Sequence, residues 1–146
     1  MPTSKRLLFI FLLIAITLPA GLITACSTPE HAYDMADMSD MPSVIQDSPV
    51  PVQQAYQFAV ANPEVLKELP CYCGCGPMGH TSNYSCYVLD ETEDDRIVYD
   101  YHALGCSICV DITQDAMRML DEGKTLLEIR EYVDQTYAKF GPTNMP

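Results

Sequence analysis

Positive charge is what this chain has least of. Its 146 residues include 8 Lys and Arg against 20 Asp and Glu, a formal net charge of −12 at neutral pH. Phosphate backbones and anionic lipid faces are gripped by basic clusters, so this balance excludes nucleic acid as a partner and direct adhesion to anionic lipid. Also missing are a glycine-rich phosphate loop, an HExxH helix and a Ser-His-Asp grouping, each a sequence-visible route to nucleotide, zinc-protease or acyl-transfer chemistry. Acid pairs such as Asp94-Asp95 and Asp121-Glu122 read as solvated faces, and no internal repeat is visible. What the chain does have is an apolar run at its start and a concentration of cysteine in its middle.

The apolar run follows Lys5-Arg6: LLFIFLLIAITLP, then LITAC ending at Cys26. A short basic region, a hydrophobic stretch and small residues before a cleavage point make an export signal. Ile23-Thr24-Ala25-Cys26 resembles the bacterial lipobox, in which cleavage precedes the cysteine and its thiol carries diacylglycerol. An uncleaved anchor is the competing reading, since Leu7 to Ala25 is nearly long enough to span a bilayer. Pro19 and Gly21 break the helix where a cleavage site belongs and favour the lipobox. Residues 1–25 are therefore expected to be a lipoprotein signal peptide and Cys26 the lipidation site. The rest would be held by membrane lipid on the outer face of a bacterial cytoplasmic membrane, or on its periplasmic side. Removing residues 1–25 takes away Lys5 and Arg6 and no acid, leaving 6 basic residues against 20 acidic ones, a formal −14.

Four segments are expected. Residues 26–50 are polar, acidic, methionine-rich and punctuated by proline, and read as a flexible tether with too little apolar surface to offset the entropy of ordering. Residues 51–141 form one small cysteine-rich domain, and 142–146 a loose tail. The fold class is α+β, small and mainly helical: short N-terminal helices, a cysteine-rich loop, a β-hairpin and two C-terminal helices. VQQAYQFAVAN places Val52, Ala55, Tyr56, Ala59 and Val60 on one helical face. Asn62-Pro63 reads as N-cap and first position of a second short helix running to Leu69, stopped by Pro70. CYVLD and RIVYD flank ETEDD as a hairpin from Cys86 to Tyr101, with Tyr84, Tyr87, Tyr99 and Tyr101 packing it. Ile108, Ile112, Ala116, Met119 and Leu120 share a face of a helix that starts near Cys106 and ends before Gly123. Thr125 and Glu128 form a capping box for a last helix striped by Leu126, Ile129, Val133 and Tyr137.

The cysteines carry the chemistry. Of seven, six remain if Cys26 is the anchor, and an even number in a small exported domain ordinarily means disulfides. The stretch PCYCGCGPMGH argues otherwise. In an extended segment, alternate side chains share a face, so Cys71, Cys73 and Cys75 can offer three sulfurs to one soft ion but are awkwardly placed to bridge each other. Its glycines let the backbone bend around what the sulfurs hold. His80 follows closely, Cys86 opens the hairpin, and HALGCSIC supplies His102, Cys106 and Cys109. A CxxC at a helix start is favoured as thiolate by the dipole, and serves either as half of a thiolate metal site or as a redox dithiol. Six thiols and two histidines exceed the four ligands of one structural zinc. Upstream, His31, Met35, Met38 and Met41 form a second, weaker soft-ligand series, since thioethers select Cu(I).

PCYCGCG, the following GH with Asn83 and Cys86, the H-x3-C-x2-C segment, EGK with its helix and the proline-containing tail together resemble the PCYCGC-motif family of bacterial lipoproteins. The resemblance runs from about Pro42 to the C-terminus. It implies a lipoprotein but no biochemical activity, because none is attached to the family.

The residues themselves favour a membrane-tethered protein that binds soft metal through Cys71, Cys73, Cys75, Cys86, Cys106, Cys109, His80 and His102. Such a protein would store, deliver or protect, with Cu(I) ahead of zinc and with an exported or membrane metalloprotein as donor or acceptor. Nothing in this requires catalysis. Two readings compete: a disulfide-stapled interaction domain, and a thiol–disulfide redox protein using Cys106 and Cys109, which lacks a βαβ context. A [2Fe–2S] cluster is disfavoured by the extracytoplasmic location and by the hairpin between CxC and CxxC.

Overall fold

The computed structural model describes residues 31–92, 94 and 96–145; the signal segment, Cys26 and the first residues of the expected tether lie outside them. Short helices α1 (Ser43–Gln46), α2 (Val50–Ala61) and α3 (Pro63–Leu66) lead into the cysteine loop. A hairpin of β1 (Val88–Glu91) and β2 (Ile97–Tyr99) follows, then α4 (His102–Gly105), α5 (Ser107–Asp121) and α6 (Leu126–Tyr137). The architecture is small, mainly helical α+β, as the sequence predicts. Its sheet is the two-stranded antiparallel hairpin, with Val88 opposite Tyr99 and Glu91 opposite Ile97. Among the described residues no helix is long and apolar enough to cross a membrane.

The core lies between α2, α5 and α6. Ala55, Tyr56, Phe58 and Ala59 of α2 are buried against Ile112, Ala116 and Met119 of α5, and Ile129, Val133 and Tyr137 of α6 close the other side. The α6 stripe and the complete Thr125–Glu128 capping box match the expectation. On α5 the buried face is broader than expected, adding Cys109, Val110, Thr113 and Met117, while Ile108 and Leu120 are only half-buried. Two local expectations are corrected. The second short helix ends at Leu66 rather than Leu69; Asn62 holds its N-cap position as expected, with Pro63 first in the helix, but the Asn62 side-chain amide donates to the carbonyls of Asp34 and Phe58 and makes no cap bond. Tyr101 is exposed rather than packed on the hairpin.

The larger correction concerns residues 31–50. Expected as tether, this stretch is part of the domain. Met41 and Ile45 are buried, and Tyr33 meets Phe58 edge-to-face at 5.0 Å. Its polar backbone is satisfied from across the fold: Gln57 bonds the Ala36 carbonyl, and Asp121 accepts from the Ala32 N–H and holds the His31 ring at 2.8 Å. A few well-spaced apolar residues, a donor from α2 and a carboxylate acceptor from α5 outweigh the polar composition that made the segment read as linker. The tail is corrected likewise. Asn144 pairs with both backbone groups of Cys71, its side-chain oxygen accepting from Cys71 N–H at 2.7 Å and its own N–H donating to the Cys71 carbonyl at 3.1 Å.

Candidate metal centre

The cysteine loop leaves α3 at Pro70 and runs irregularly to a 3₁₀ turn at Gly76–Met78. Gly74 has φ +82°, a left-handed conformation that L side chains avoid, and it turns the chain between Cys73 and Cys75. The three alternate sulfurs therefore do not line one face as expected. Cys71 and Cys73 face one way, 3.3 Å apart, while Cys75 approaches Cys86 at 3.9 Å. Cys86 sits in a 3₁₀ turn, Tyr84–Cys86, just ahead of the hairpin. From α5, Cys109 comes to 3.5 Å from Cys71 and 3.6 Å from Cys73, and from α4 the His102 Nε2 lies 3.3 Å from Cys73.

All eight residues singled out in the sequence meet here, in three groups whose donor atoms lie within 4.8 Å of one another: Cys71, Cys73, Cys86 and Cys109; Cys73, His102, Cys106 and Cys109; Cys75, His80 and Cys86. All six of these thiols are free, so the arrangement is not a set of cystine staples. A divalent ion about 2.3 Å from each of four tetrahedral sulfurs sets sulfur–sulfur edges of about 3.8 Å. The observed separations, 3.3 to 3.9 Å, are close to that.

Packed thiols cannot all ionise, and the structure divides the charge unevenly. Hydrogen bonds from Cys109 and then Cys86 draw the Cys71 thiol down to about 2. Cys73 falls to about 5, chiefly through Cys86, with Cys75 and His102 assisting against burial. Cys86 and Cys109 are pushed up, since they share their protons with these neighbours. Cys106 is also raised, by burial first. The helix-start argument for a Cys106 thiolate is thus overturned: desolvation and the adjacent Cys73 charge outweigh the dipole.

Several supporting residues were not visible in the sequence as parts of a site. Asp100 serves both histidines: Oδ2 lies 3.2 Å from His80 Nε2, and Oδ1 accepts from the His102 N–H at 2.7 Å. With Nε2 turned to Asp100, the buried His80 Nδ1 has no hydrogen-bond partner among the described residues. That is the pattern of a metal-ligating histidine fixed by a carboxylate. Asn83 and Tyr87 donate to the Cys109 carbonyl, and Thr113 donates to Asn83 Oδ1, locking the first turn of α5. Asn144 reaches Cys75 Sγ at 3.6 Å and the Ser82 carbonyl at 3.0 Å. No sequence signal separated Asp100 and Asn144 from ordinary surface Asp and Asn; Asn83 stood out only through the family resemblance and Tyr87 only as hairpin packing.

Residues 22–146 match the family described as "Protein of unknown function with PCYCGC motif". The chain belongs to that family. The match starts well upstream of Pro42, where the resemblance was placed, so the PCYCGC family's shared region takes in Cys26 and the methionine-bearing segment. No curated protein and no solved structure matches the chain.

The weaker methionine series does not assemble as a unit. His31 and Met35 line one cavity of about 440 Å³ beside Met117 and Asp121, whereas buried Met41 lines another with Asp37 and Asp40.

Proposed function

We propose that this protein is an extracytoplasmic lipoprotein that binds soft metal ions, Cu(I) ahead of zinc, for storage, delivery or protection. The observation that carries the reading is the convergence of six free thiols and two imidazoles from three separate stretches of chain. Among the described residues no carboxylate joins any of the ligand groups, and a sulfur-dominated donor set selects Cu(I) or zinc over hard cations. Zinc in a structural role is satisfied by four ligands; the surplus of sulfur favours copper. Iron–sulfur assembly would also use clustered thiolates, but is disfavoured outside the cytoplasm, where the lipobox reading puts the chain. That reading rests on the segment ending at Cys26, which lies within the family match. A lipid on Cys26 would hold the centre at the outer membrane face, where exported or membrane metalloproteins are the partners for metal exchange.

The test is native mass spectrometry of the full chain, purified anaerobically, with a thiol count before and after chelation. Bound ions should leave with the chelator as six thiols of the Cys71–Cys109 region become reactive. Six thiols already oxidised to cystines in the protein as isolated would sink the proposal.

A further inference from the structure

We infer that the centre is polynuclear: three ions in a row, joined by shared sulfurs, with a sealed inner end at His80 and an exchange end at His102 and Cys106. The inference rests on the metal-binding reading above and adds number, order and direction to it.

Eight residues supply three groups because Cys73, Cys86 and Cys109 each belong to two. A thiolate has lone pairs enough to bridge two metals, which a protonated or disulfide sulfur does not offer. The outer and middle groups share an edge, Cys73 to Cys109; the middle and inner groups share the Cys86 corner. That shared edge measures 3.6 Å, so two ions held about 2.3 Å from both sulfurs would sit about 2.9 Å apart.

The two ends differ in access. At the inner end Cys75 and Cys86 are fully buried and His80 is 5% exposed, with its Nδ1 buried and unpartnered. Asn144 covers Cys75 from the C-terminal side. Burying a lone-pair nitrogen with nothing to accept from is costly, and a cation between Cys75, His80 and Cys86 removes that cost. At the outer end Cys73, His102 and Cys106 are only half-buried, and Cys106 lines a surface cavity of about 370 Å³. Among the described residues, the hydrogen bonds of Lys and Arg go to carboxylates and a backbone carbonyl, none to these sulfurs. Metal charge is therefore what balances the thiolates formed on loading, and several ions compensate what one would leave.

The experiment uses the full chain in detergent, titrated anaerobically with Cu(I) and in parallel with Zn²⁺, with native mass spectrometry for stoichiometry and X-ray absorption for metal–metal distances. Three ions per chain are expected for at least one of the two metals, with a metal–metal vector near 2.9 Å. His80→Ala should hold two ions, one fewer than the unaltered protein, and still pass them to a competing chelator. The double change His102→Ala with Cys106→Ser should also hold two, but transfer them several-fold more slowly. Circular dichroism of the metal-free variants checks folding, and the metal–metal vector of the unaltered protein needs no variant. One ion per chain without that vector overturns the polynuclear inference and leaves the metal-binding reading standing; no retained ion overturns both. Slower transfer from His80→Ala rather than from the outer variant reverses the direction and overturns that part.

Discussion

Asp100 is the residue on which most of the centre's geometry turns. One carboxylate orients His80 and caps the backbone of His102, and its carbonyl accepts from the buried Tyr56 hydroxyl at 2.8 Å. Carboxylates behind metal-bound histidines fix the ring tautomer, and losing one typically weakens metal binding about 10- to 100-fold. Asp100→Asn should therefore weaken metal binding by that range in a chelator competition; unchanged affinity would remove His80 from the ligand set. The uneven ionisation of the thiols makes a second prediction. Cys73 is half-buried with its thiol drawn down to about 5, whereas Cys106, equally accessible, is held above its ordinary value. Only thiolates alkylate. In the metal-free protein, alkylation of Cys73 should rise through about pH 5 and be near its plateau at neutrality, while Cys106 reacts more slowly there. Peptide mapping of alkylated sites distinguishes the two, and equal rates at pH 7 would contradict the charge division.

At the scale of elements, local patterning predicted most of what formed. The Thr125–Glu128 box, the α6 stripe and the existence of the hairpin all follow from short-range signals that tertiary packing did not override, whereas its register, with an irregularity between Val88 and Asp90, was not legible. The cysteine loop is different. Strand-like alternation was expected of CxCxC, but Gly74 interrupts it, and that one φ angle sends Cys75 to a different ligand group from Cys71 and Cys73. A Cβ on Gly74 would meet no atom within 4 Å, so the penalty of Gly74→Ala is conformational rather than steric. A left-handed non-glycine residue costs about 1–2 kcal/mol. Gly74→Ala should lower the unfolding free energy of the metal-free protein by that amount, seen as a lower denaturant midpoint, and loading should suffer as Cys75 is drawn away. An unaltered midpoint would mean that the turn does not need the positive φ.

For the whole molecule, the domain is larger than its cysteine-rich segment. Ile45, in what composition marks as linker, is fully buried, and the stretch around it is stitched to α2 and α5 through Gln57, Asn62 and Asp121. Truncating a buried isoleucine to alanine costs about 2–5 kcal/mol, whereas the same change in a solvated linker costs almost nothing. Ile45→Ala should thus destabilise the domain markedly in equilibrium unfolding, and a null effect would restore the tether. The Asp121 carboxylate lies below its ordinary value, chiefly because the Ala32 N–H donates to it, with His31 contributing. This contribution is present above the ordinary carboxylate pKa of 3.8 and disappears as pH falls through the lower folded value. Amide exchange at Ala32 should accordingly accelerate at strongly acid pH before the core opens.

The sequence by itself determined the donor chemistry, the helical bias and the hairpin, because residue type and short-period patterns are local properties. Cys71, Cys73, Cys75, Cys86, Cys106, Cys109, His80 and His102 announce themselves by what they are. Only the tertiary structure decided which of them share an ion, that Cys73, Cys86 and Cys109 serve two groups, and that Asp100 and Asn144 brace the whole. Those assignments depend on α5 delivering Cys109 against a loop far back in the chain, and on a tail returning to Cys71. Distances of that kind come from how the core packs, which no window of neighbouring residues encodes.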